Sequence, residues 1–269
     1  MAAAAAALAL TAGLHVDRFD RHRAFADLRH QVEVGPRPAG SAAARELSLW
    51  LRDRLPHGRI EAVRGGYRNV VGRLGPRHGK AIVVAAHYDT KDIPGFVGAN
   101  DGAGGTAGVL GIARALRHRH GLPPIRFVLF DGEESQDDSA DFYSTGLRGS
   151  RPYARRYARQ VRAVVLLDFI AQRGAMRIPR EAGSNVALWS RLRRAARKVG
   201  TRTIFPDRVA GAVIDDHTPF QRRGIPAIDL IDFTFPCWHR LCDDMRAVSA
   251  RSLDLVGETV TQMLLDWSR

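Results

Sequence analysis

The feature that most constrains this chain is a series of short apolar runs, each cut off by polar residues and separated by segments of helical period. AIVVAA at 81–86, IRFVLF at 125–130, AVVLL at 163–167 and AIDLI at 227–231 are too short for buried helices and show no clean alternation. They predict strands covered on both faces. Asn69–Leu74 reads as a further strand. Helical spacing or small-residue richness fills the gaps: about 103–119, 152–159, 186–199 and a closing helix near 253–267. Two more helices precede the first strand. One carries Phe25, Leu28 and Val32 and stops at Gly35-Pro36-Arg37-Pro38; the other is capped by Ser41, passes through Leu47, Trp50 and Leu51, and ends by Pro56 and Gly58. Strands joined through helices of this length take right-handed crossovers. The expected fold is therefore a single α/β domain, with a mostly parallel central sheet and helices on both faces.

Residues 19–269 form that domain, and residues 1–18 read as an apolar N-terminal extension or the remnant of a signal segment. Met1–Gly13 is rich in Ala and Leu and uncharged, like the apolar part of an export signal without its basic leader. It is too short to span a bilayer as a helix, so the expectation is an exported protein with no stable membrane span. The formal charge of +13 raises nucleic acid as a partner, but the excess is arginine spread through every segment, with lysine only at 80, 91 and 198. No nucleic-acid module accompanies it, and none is expected to bind. Cys237 and Cys242 are too few for a disulfide framework. Their spacing permits a local bridge, two buried thiols, or a thiolate beside a metal.

Chemistry collects where the strands end. AIVVAA runs into His87-Tyr88-Asp89, and a loop then delivers Asn100-Asp101-Gly102. IRFVLF runs into Asp131-Gly132-Glu133-Glu134, AVVLL into Asp168, and the last strand is followed by Trp238-His239 and Asp243-Asp244. Ligands of such sheets bind beyond the carboxyl ends of the strands. Each residue alone has a bland explanation: Asp101 as a helix cap, Glu133-Glu134 as a helix start, His87 as a core histidine, His217 at a helix entry. Carboxylates crowded at one edge repel each other unless a cation neutralises them, and a mixed His/carboxylate set suits zinc. Adjacent glutamates diverge, which leaves Glu134 as a ligand and Glu133 as a general acid/base.

HYDTK at 87–91, FVGANDGAGG at 96–105, LFDGEE at 129–134, DDHTPF at 215–220, RRGIPAIDLI at 222–231 and WHRLCDD at 238–244, with VGPRPAGS at 34–41, resemble the zinc aminopeptidases and their relatives, the animal-type glutaminyl cyclases. The Lys of HYDTK, the LLDFI context of Asp168, the doubled Asp before His217 and Trp238 directly before His239 resemble the cyclases in particular. That resemblance implies one zinc on Asp101, Glu134 and His239, with Glu133 moving the proton. It implies a hydrogen-bonded acidic pair of Asp168 and Asp215, and Trp238 lining the substrate pocket. The activity implied is closure of an N-terminal Gln of peptides to pyroglutamate with release of ammonia, by a monomer acting on peptide or protein N-termini. Three features depart from the cyclase pattern and bear on substrate recognition. Asp229 stands where a His is usual, Ala86 where a Cys is usual, and the segment 135–149 is longer and lacks a Trp. The alternative is a di-zinc aminopeptidase, with His87 and Asp168 on a second zinc and Asp101 bridging. A non-catalytic binding domain predicts a broken ligand, and none is broken.

Overall fold

The computed structural model describes residues 18–268, so the apolar segment 1–17 and the export reading built on it lie outside the described residues. Helices α1 (Arg21–Val34) and α2 (Ala42–Arg54) come first, then β1 (Arg59–Val63), β2 (Tyr67–Leu74) and β3 (Ala81–His87). There follow α3 (Ala103–Leu116), β4 (Ile125–Phe130), the short α4 (Phe142–Thr145), α5 (Ser150–Tyr157) and β5 (Val161–Leu167). The chain closes with α6 (Val186–Lys198), α7 (Thr218–Gln221), β6 (Ala227–Leu230) and α8 (Ala250–Leu265). Local chemistry sets the first boundaries. The Asp20 carboxylate accepts from the Arg23 N–H at 2.9 Å, and the Ser41 hydroxyl accepts from the Ala44 N–H at 3.1 Å, each satisfying an amide at a helix start.

The strands form one six-stranded sheet in the order β1-β2-β4-β3-β5-β6. β3 pairs in parallel with β4 and β5, and β5 with β6, as the crossovers predict. β1 and β2 are antiparallel additions at one edge, which makes the sheet mixed. β1, with sequence RIEAV, has no apolar run and stays partly exposed, which is why periodicity did not reveal it.

Alternate residues of the central strands point to opposite cores. Ile82, Val84 and Ala86 of β3 join the larger one with α1, α2, α3, α6 and α8. Val83 and Ala85 join the smaller one with Tyr153 and Ala154 of α5 and Phe220 of α7. Cutting a fully buried side chain such as Leu110 back to alanine costs about 3 kcal/mol at sites of this kind.

The chain leaves β3 towards β4 on one side and later returns to β5 on the other. The carboxyl end of β3 is therefore the switch point of the sheet, where a crevice opens. α3 packs low over that point because it is built from small residues. A Cβ on Gly105 would lie 2.1 Å from the Leu167 carbonyl oxygen, so the helix approaches β5 only with glycine there. Gly102, at φ +87°, turns the chain from the Asp101 loop into α3, and a Cβ there would meet the Asp89 carbonyl oxygen at 2.7 Å.

Candidate active site

The switch point gathers the predicted residues. His87 is the last residue of β3, Asp101 precedes α3, Glu133 and Glu134 follow β4, Asp168 follows β5, and His239 lies in the loop beyond β6. Two donor sets share Asp101. In the first, His239 Nε2 lies 3.6 Å from Asp101 Oδ2 and 3.3 Å from Glu134 Oε2. In the second, His87 Nε2 lies 3.2 Å from Asp101 Oδ1 and 3.6 Å from Asp168 Oδ1. Glu133 belongs to neither set, although it is buried beside them.

Other acidic residues act as scaffolding. The Asp89 carboxylate accepts from the N–H groups of both Glu133 and Glu134, each at 3.2 Å, and so fixes the turn that presents the two glutamates. Asp243 does the same for the Asp101 loop, accepting from Asn100 N–H at 2.7 Å and Asp101 N–H at 3.0 Å. Asp131 accepts from Gly40 and Arg68 N–H groups. The fully buried Arg37 donates to the carbonyls of Tyr88, Val97 and Gly98 at 2.8, 2.6 and 3.1 Å, which ties the VGPRPAGS segment to both loops. Sequence reasoning gave none of these four a role. Their signal was present in part, since Asp89, Asp131, Asp243 and Arg37 all lie inside the motifs.

The electrostatics state what the site lacks. Burial, together with the Asp101 charge, pushes Glu134 up to about 7, and burial with neighbouring carboxylates does the same for Asp168 despite His87. Burial and the charges of Glu134, Asp215 and Asp216 carry Glu133 well above the usual carboxylate range, against the opposing pull of His87. Both nitrogens of His87, Asp101 Oδ2 and Glu134 Oε1 are buried without a hydrogen-bond partner. Buried polar atoms are rarely left so. Imidazole nitrogens and carboxylate oxygens converging in this way fit a divalent cation, and the mixed donor set fits zinc.

A second nest of acidic residues lies behind the first. His217 is fully buried, with Nε2 3.6 Å from Glu181 Oε2 and Nδ1 3.7 Å from Asp229 Oδ2; Asp215 completes this group. Burial works to raise Glu181, but His217 and the N–H groups of Gly183 and Val213 hold it down at about 2. Burial and surrounding carboxylates push Asp216 and Asp229 well up. Asp215 therefore groups with His217 and Asp229, and it meets Asp168 through charge, raising that carboxyl. Its Oδ1 accepts from the Asp216 N–H at 2.5 Å, while its Oδ2 has no hydrogen-bond partner.

These groups open onto a cavity of about 760 Å³ lined by Glu133, Glu134, Asp168, Asp215, Phe233 and Trp238 among others. Trp238 is 45% exposed, with its ring 4.8 Å from those of both His239 and Phe233, and it lines the cavity as an aromatic surface for a ligand. The segment 135–149 is held at its start by Lys91, which donates to the Ser135 carbonyl at 2.9 Å and pairs with Asp138. It contributes Phe142 to the cavity wall. Cys237 and Cys242 form a disulfide, which closes the free-thiol and thiolate-ligand alternatives. No helix among the described residues is long and apolar enough to cross a membrane.

Residues 69–264 match the model of peptidase family M28. Among curated proteins, a glutaminyl-peptide cyclotransferase of Bothrops jararaca is 29% identical over 248 residues, covering 75% of this chain and 67% of that one. Among solved structures, a glutaminyl cyclase of Porphyromonas gingivalis superposes with a TM-score of 0.83 at 29% identity, over 93% of this chain and 99% of that one. A Zn-dependent exopeptidase of Parabacteroides distasonis superposes at 0.81 with 24% identity, over 91% and 98%, a likeness of fold.

Proposed function

The chain belongs to peptidase family M28, and from that premise we propose that it is a zinc-dependent glutaminyl-peptide cyclotransferase. The observation that carries the reading is the convergence of Asp101, Glu134 and His239 beside a buried Glu133 that stays outside the donor set, at the floor of a cavity large enough for a peptide terminus. Asp101, Glu134 and His239 would hold the zinc. When bound, it supplies Lewis-acid polarisation of the substrate's side-chain amide carbonyl.

The protein's own residues do the rest. The cavity receives an N-terminal Gln with its free α-amine, and the Trp238 face packs against it. The α-amine nitrogen bonds to the side-chain amide carbon within the same residue, so proximity is largely intrinsic to the substrate. Glu133 takes a proton from that amine and returns it to the departing nitrogen, which leaves as ammonia as the carbon–nitrogen bond breaks. A carboxyl raised well above the usual range suits a group that both accepts and donates near neutral pH. Asp168, pushed up to about 7 by burial and neighbouring carboxylates such as Asp215, donates a hydrogen bond to the developing charge. The product is a pyroglutamyl peptide. We assign the enzyme to an exported, oxidising compartment, which the Cys237–Cys242 bridge supports, and take it to act as a monomer.

The second donor set favours one other reading. His87, Asp101 and Asp168 stand ready for a second zinc, the arrangement a di-zinc aminopeptidase needs, with Glu133 as base for hydrolysis of the first peptide bond. One experiment separates the two. Metal-loaded protein is incubated with a Gln-initiated and a Leu-initiated peptide and the products are weighed by mass spectrometry, with zinc counted per chain. Loss of ammonia from the first at one zinc is expected. Removal of the terminal residue from the second at two zincs would replace the cyclase reading.

A further inference from the structure

The loop that carries His239 is exposed over much of its length, with the His239 ring edge-on to the buried Phe96. Trp238 is 45% exposed and Leu241 60%, and the Trp238 N–H reaches the Phe235 carbonyl only at 3.4 Å. His239 itself sits at φ +52°, a left-handed conformation that a residue with a Cβ avoids unless its surroundings impose it. Two features tie the chain on either side of it. The Cys237–Cys242 disulfide closes the chain on either side of the histidine, with the Arg240 N–H on the Cys237 carbonyl at 3.0 Å inside the ring. Directly after the bridge comes the fully buried Asp243, whose N–H returns to the Arg240 carbonyl at 2.9 Å.

Asp243 then grips the loop of the other ligand. Its carbonyl accepts from Ala99 N–H at 3.2 Å, and its two carboxylate oxygens accept from Asn100 and Asp101 N–H groups. Three successive amides leading to Asp101 therefore hang from one residue, which is itself anchored to the covalent ring around His239.

We propose that the Cys237–Cys242 disulfide and Asp243 form a positioning clamp that holds His239 and Asp101 in register, so that the grip on zinc follows the state of the bridge. The proposal rests on the reading that Asp101, Glu134 and His239 bind the metal. The clamp touches neither substrate nor reacting atoms. Cys242 is exposed, so a water-soluble phosphine reaches the bridge. The phosphine gives up two electrons and becomes its oxide with oxygen from water, and the broken sulfur–sulfur bond becomes two thiols.

The test is zinc affinity, measured by competition with a chromophoric chelator, with circular dichroism confirming the fold. The proteins compared are wild type, phosphine-reduced wild type, Cys237→Ser/Cys242→Ser, Asp243→Ala and Asp243→Asn. Removing groups that orient metal ligands weakens binding by about tenfold to a hundredfold. That loss is expected in both bridge-broken forms and in Asp243→Ala, with a smaller loss in Asp243→Asn, which keeps one acceptor oxygen. Affinities within about twofold of wild type in folded, bridge-broken protein would overturn the clamp while leaving the site reading intact. Wild type that takes up no zinc would overturn the site reading, and the clamp with it.

Discussion

Two groups of histidine and carboxylates contribute to the same cavity, and the main difference between them is how far each histidine opens onto it. In the forward group the His239 side chain is 26% exposed and faces the cavity; in the rear group His217 and Asp229 are fully buried. Nitrogen–oxygen separations are alike, 3.3–3.6 Å around His239 and 3.6–3.7 Å around His217. In the rear group Glu181 is held down by His217 and backbone partners, while burial and neighbouring carboxylates push Asp216 and Asp229 well up. In the open group burial and neighbouring carboxylates push Glu134 and Asp168 up to about 7, against the pull of the histidines. Donor geometry alone does not make a metal site. A histidine that reaches the cavity distinguishes the one from the other.

The largest effect should come from the open side. His239→Ala is expected to bring zinc close to zero on elemental analysis and turnover with it; full zinc retention would remove the histidine from the ligand set. Next, Glu133→Gln should keep its zinc and lose turnover by about 10²–10⁴-fold, the contribution of a positioned acid/base. On the rear side the readouts should exchange places. His217→Ala is expected to lower folding stability in urea titrations, since it leaves Glu181 and Asp229 without their buried imidazole neighbour, with zinc per folded chain unchanged. A drop in zinc at intact stability would make the rear group a metal site and break the comparison.

Glu181 sharpens it through pH. Its carboxyl is lowered from 4.5 to about 2, so its contribution to stability is complete above about 4.5 and is lost as pH falls through about 2. Glu181→Gln should flatten that acid limb, and an unchanged limb would contradict the His217–Glu181 pairing. Smallest of all, Trp238→Ala should raise KM for a Gln-initiated peptide by about threefold to tenfold with zinc content preserved, the scale of one apolar contact.

Much of this was legible in the residues. Runs such as AIVVAA announce buried strands because nothing polar interrupts them, and the ligands stand at the ends of those runs because parallel sheets bind there. Asp101, Glu134 and His239 meet although 33 and 105 residues separate them in sequence (134 − 101 and 239 − 134), since the strand order returns to β3 from both sides. Other features gave weaker signals. β1 (RIEAV) has no fully buried residue and two charged residues in five, and α7 is a single turn set by Thr218 and Pro219. The roles of Asp89 and Asp243 depend on which backbone amides face them, and backbone direction has no residue-type signature. Sequence also joined Asp168 to Asp215, whereas the fold groups Asp215 with His217 and Asp229.

Arg37 carries a consequence for where this molecule begins as a working unit. The stretch matching the family starts at residue 69, yet a guanidinium 32 positions earlier (69 − 37) braces the exits on which the ligands ride. A shortened version cut to the recognisable family region would keep every ligand and lose the keystone beneath them. The two leading helices thus belong to the engine rather than to its casing.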